Sequence, residues 1–95
     1  MPHNFTGLFS QYPAVIAQMP RVFSSHEFIL RLARDNQTLY VLALGAYANT
    51  GAPFRRVHAT LSKQLHSSSL VRHLGKVMTP NIFGDNAECG QWERV

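Results

Sequence analysis

The sequence predicts a mainly α-helical fold: one small domain over residues 1–95, built from four to five short helices, with a C-terminal β-hairpin as an option over 76–95. Three observations carry that expectation. Apolar side chains recur at helical spacing along most of the chain, a capping box stands at Ser24 and Glu27, and Pro13, Pro20, Pro53 and Gly75 fall where helices start or stop. With 95 residues, 45% of them hydrophobic, the chain holds material for one core.

In the first segment Phe5, Leu8, Phe9, Tyr12, Val15, Ile16 and Met19 fall within about 120° of arc on a helical wheel. Pro13 divides the pattern into two short turns, the second opening with Pro13 at its first helical position and ending before Pro20. The opposite face, with Thr6, Gly7, Ser10, Gln11 and Gln18, is uncharged. Residues 1–22 are therefore expected to pack on the core or on a partner such as a second copy, with Phe5, Phe9 and Tyr12 as candidate partner-binding residues. Without Lys or Arg, residues 1–20 have nothing to hold them on an anionic lipid surface.

Ser24 and Glu27 form the capping box, and Phe23 and Phe28 occupy the two positions of a hydrophobic staple. A helix is expected to follow, with Phe28, Ile29, Leu32 and Ala33 inward and Glu27 paired to Arg31. Asn36 or Thr38 caps the next segment, 39–47, which is apolar all round and reads as a buried central helix. Its start, Leu39-Tyr40-Val41-Leu42, also suits a strand, whereas Ala43, Gly45 and Ala46 favour the helix.

Residues 49–53 form a loop, and Pro53 opens a helix reaching His66. Phe54, Val57, Leu61 and Leu65 make its core face, while Arg55, Arg56, Lys63 and His66 gather opposite. Three serines, 67–69, break the chain. Leu70, Val71 and Leu74 then give a short second apolar face closed by Gly75, with Arg72 and His73 pointing away. Beyond Lys76, Val77 and Met78 suit a short strand, 79–81 and 84–86 are turn material, and 91–95 alternates enough to pair back. Ile82 and Trp92 are expected to close over the core.

Nine Lys and Arg against five Asp and Glu leave a net charge of +4, and no acid occurs from Asn36 to Gly84. That imbalance favours a polyanionic partner, nucleic acid above all. The candidate contacts are Arg55, Arg56 and Lys63, with Arg72 and Lys76 beyond them. Two helices around a serine turn over 59–74, with Leu61, Leu65, Leu70, Val71 and Leu74 apolar and a hairpin behind, resemble the winged helix-turn-helix superfamily of DNA-binding domains. The resemblance implies that the second helix lies in the major groove. Ser68, Ser69, Arg72 and His73 would then face the groove, and Lys76 would touch phosphate.

Other chemistries find little to stand on. His58, His66 and His73 miss the i,i+4 spacing of helical zinc ligands, so no metal is expected. Cys89 is alone, no glycine-rich phosphate loop occurs, and no nucleophile stands beside a base, so neither a cofactor nor an enzymatic activity is expected. No secretory signal or run of about 18 apolar residues is present, and the expectation is a cytoplasmic chain without a membrane partner. The rival reading is a protein-interaction module acting as a homodimer or accessory subunit.

Overall fold

The computed structural model describes residues 4–95. Its element order is α1 (Thr6–Phe9), α2 (Tyr12–Gln18), β1 (Val22–Ser24), α3 (Ser25–Asp35), α4 (Gln37–Ala46), a 3₁₀ turn (Ala48–Thr50), α5 (Pro53–Leu65), β2 (Val71–Pro80) and β3 (Asn86–Arg94). The strands form one antiparallel sheet in the order β1-β3-β2. The fold is thus α+β, which corrects the mainly α expectation.

The correction turns on residues 70–75, expected to be a short helix, of which Leu70 lies in a turn and 71–75 in β2. A helix of so few residues gains little of its own and persists only where its apolar face packs, as α1 and α2 do on the core. The chain end offers a complete ladder instead, from Val71 opposite Arg94 to Pro80 opposite Asn86. Gly75 does not stop a helix; it takes φ +118° at a bulge between His73 and the resumed ladder. The bulge also sorts the side chains. Arg72 lies opposite Glu93 and Lys76 opposite Gly90, positions of opposite parity on β3, so the two cations project from opposite faces of the sheet. His73, opposite Trp92, shares its face with Lys76.

Strand β1 has no counterpart in the sequence reading, because its residues also carry the helix-start signal. Ser24 Oγ accepts from Glu27 N at 3.1 Å, Ser24 N donates to Glu27 Oε1 at 3.1 Å, and the Phe23 and Phe28 rings lie 6.1 Å apart. The same residues pair with β3, Phe23 opposite Trp92. With the Glu27 carboxylate used in the cap, Arg31 bonds Asp35 at 2.8 Å, and the expected Glu27–Arg31 pair does not form.

Helix α4 is not the central helix its composition suggests. Only Tyr40 and Ala43 are buried, while Val41 is 62% and Leu42 58% exposed. The sheet takes the place that α4 was expected to fill: Trp92 and Phe23 close the core against α3 and α5, and α4 is left with one inward face. Among the described residues no helix is long and apolar enough to cross a membrane.

Candidate functional site

Helix α5 is seated by Val57, Leu61 and Leu65, all 0% exposed, and by Tyr12 Oη, which donates to the Leu61 carbonyl at 2.6 Å. That hydroxyl is buried, which raises its pKa, so it stays a donor. A further tie comes from Ser25, fully buried, whose Oγ accepts from Trp92 Nε1 at 2.9 Å and from Ser62 Oγ at 3.2 Å. One hydroxyl thereby joins α3, α5 and β3. Gly90 permits this closeness, since a Cβ there would lie 3.0 Å from Trp92 Nε1 and 3.2 Å from Ser25 Oγ.

With its inner face fixed, α5 turns Arg55, Arg56 and Lys63 to solvent, with the small Ala59 exposed between them. Among the described residues these three cations form no ion pair. The other two candidate cations are compensated. Arg72 bonds Glu93, which Arg21 also approaches at 3.4 Å, and Lys76 lies 3.4 Å from Glu88. The five cations expected to act together are thus divided, three free on a helix and two paired on opposite faces of a sheet.

Between α5 and the β2–β3 hairpin runs a groove of two adjoining cavities, about 250 and 270 Å³, that share Ser62, Glu88 and Cys89. His26 and His58 line one part and His66, His73 and Lys76 the other. His66, His73 and Trp92 pack against one another at tilted and edge-on angles, with ring centroids 4.7 to 4.9 Å apart. His58 Nε2 shares a 2.6 Å hydrogen bond with Tyr40 Oη. Burial, and then the neighbouring charge of His26, push its pKa down to about 4, so at neutral pH it adds no charge to α5. Burial raises the Tyr40 pKa as well.

The stretch 59–74, which carried the winged-helix resemblance, is the end of α5, a turn and the start of β2. Ser68 and Ser69 lie in that turn, with Ser68 Oγ accepting from Leu70 N at 3.2 Å. The candidate partner residues face inward: Phe5 and Tyr12 are buried and Phe9 half-buried. Phe5 stacks on Phe9 and on Tyr47, and Tyr12 packs edge-on to Phe28 at 4.7 Å. Phe54, placed by spacing on the core face, is 41% exposed and meets Phe83 of the hairpin loop edge-to-face at 4.8 Å. That pairing joins residues far apart in sequence, and no local signal announces it. Among the described residues no group of three or more His, Cys, Asp or Glu side chains is arranged to hold a metal ion.

No protein-family model matches the chain, and no match is found among curated proteins or among solved structures.

Proposed function

We propose that this chain is a small nucleic-acid-binding domain that meets the phosphate backbone with the outer face of α5. The observation that carries the reading is the gathering on one helix face of Arg55, Arg56 and Lys63, without ion pairs among the described residues, while Arg21, Arg31, Arg72 and Lys76 each have a carboxylate and the remaining unpaired cations, Arg34 and Arg94, stand singly on α3 and β3. Uncompensated cations on one rigid face favour phosphate, and release of condensed counterions supplies the free energy. In the winged-helix resemblance the groove-facing part belongs to the second helix of a pair ahead of the hairpin. In the folded chain the stretch expected to be that second helix is a turn and the start of β2, so the α5 reading rests on its free cations and not on the resemblance. The acids nearest the hairpin loop, Asp85 and Glu88, argue against phosphate contacts from the loop itself.

Fluorescence anisotropy with mixed-sequence duplex DNA and RNA at low salt tests the reading. The triple variant Arg55→Ala, Arg56→Ala, Lys63→Ala should lose about tenfold or more in affinity, whereas Arg72→Ala, whose guanidinium is held by Glu93, should change it little. No binding by the wild type at about 100 μM, the weak end of non-specific association, sinks it.

A second reading rests on α4. Its exposed Val41 and Leu42 sit in a stretch, 36–54, without a charged residue, on a chain whose net charge is +4. A neutral apolar face is where two such cationic chains can meet without repulsion, so we also propose weak self-association through α4. Light scattering that stays at the monomer mass at all accessible concentrations rejects it.

A further inference from the structure

Phe54 and Phe83 are large apolar side chains left in water, 41% and 56% exposed, although each is held in place. Phe54 lies in the first turn of α5, where its ring also packs 5.8 Å from that of His58. Phe83 sits in the loop joining β2 to β3, and that loop is tied down by Asn81. Its Oδ1 accepts from Phe83 N at 2.9 Å and from Asp85 N at 3.1 Å, while Asn81 N donates to the Asp85 carbonyl at 2.8 Å. The rings meet nearly perpendicular, 84° between planes, so the contact covers at most one ring face of the pair.

The chain therefore holds two ordered aromatic rings with open faces at the junction of helix and hairpin. Arg55 and Arg56 follow Phe54 directly and form no ion pair among the described residues, while Asp85, two residues beyond Phe83, is the one acid of the loop. An open aromatic face and an uncompensated arginine on the same helical turn can hold an unpaired base: the ring stacks on the base, while the long Arg55 side chain, about 100° round α5 from Phe54, reaches for the adjoining phosphate. Bases inside a duplex present no free face. We infer that Phe54 and Phe83 form a stacking site for an unpaired base, so that the chain prefers single-stranded nucleic acid over duplex. This rests on the nucleic-acid reading of α5 and adds the substrate class.

The test compares a labelled single-stranded 15-mer with its duplex, in DNA and RNA forms, and repeats the single strand with 2-aminopurine replacing one adenine. Expected are tighter binding of the single strand, quenching of 2-aminopurine at saturation, and a loss of about tenfold or more in single-strand affinity for Phe83→Ala. Duplex affinity should stay within about twofold, and Phe83→Tyr should restore single-strand binding, because a tyrosine ring stacks as well. Phe83 is in an exposed loop, so a thermal melt should show Phe83→Ala folded. Equal affinity for the two forms, unquenched 2-aminopurine, or equal losses on both in Phe83→Ala overturn the stacking site and leave the α5 reading standing. Failure to bind either form overturns both. The DNA and RNA arms show which backbone the site accepts.

Discussion

At the scale of single residues, the buried Ser25 hydroxyl has the largest structural consequence for its size. Ser25→Ala leaves the Trp92 indole N–H without its acceptor in a site 1% exposed, a loss of about 1–3 kcal/mol. For a domain of this size the melting midpoint should fall by about 4–8 °C for each kcal/mol, read by calorimetry, and an unchanged midpoint would deny the bond any role. His58 makes a prediction about pH. Its folded pKa of about 4 lies below the unfolded value of 6.5, so between them the unfolded chain binds more protons and stability rises with pH. The contribution is complete above about pH 6.5 and fades as pH falls toward 4. Tyr40 and His26 act directly on the imidazole, and Glu88 and Cys89 share its cavity. Melts across that window should show a shallower pH dependence in His58→Gln than in the wild type; parallel curves would refute the assignment.

At the scale of elements, α4 and β2 show how composition misleads when partners are unknown. A segment apolar all round is expected to be buried on most sides, yet α4 keeps Val41 and Leu42 outside because a three-stranded sheet already closes the core. The double variant Val41→Lys, Leu42→Lys removes little buried area and introduces good helix formers, so its stability should stay within about 0.5 kcal/mol of wild type. Any growth of apparent mass with concentration should vanish in the same variant. A loss above about 2 kcal/mol would mean that the folded chain itself covers this face. In β2 the misleading feature was Gly75, whose position suits a helix stop and whose conformation serves a bulge. That bulge puts His73 and Lys76 on the sheet face that carries Trp92 and sends Arg72 to the other, next to Glu93.

At the scale of the whole molecule, the division of charge sets the salt dependence of nucleic-acid binding. Three free cations on α5 give a slope of about −2.7 in log affinity against log salt for duplex DNA, and all five acting together would give about −4.5. A titration across salt concentrations reads the difference, and a slope near the larger value would show that the Arg72 and Lys76 pairs open on binding. By itself the sequence determined the features that depend on neighbours along the chain: the Ser24–Glu27 cap, the break at Pro13, the core face of Val57, Leu61 and Leu65, and the cations opposite it. These follow from helical periodicity and local hydrogen bonding, which a short window contains. Only the tertiary structure decided what depends on partners far along the chain. Residues 71–80 became a strand because 86–94 pairs with them, two of five cations were neutralised because the register brought carboxylates to them, and Phe54, left outside the core, met Phe83 of the hairpin loop. Strand pairing joins groups whose sequence separation carries no periodic signal, so it becomes legible only once the chain has closed on itself.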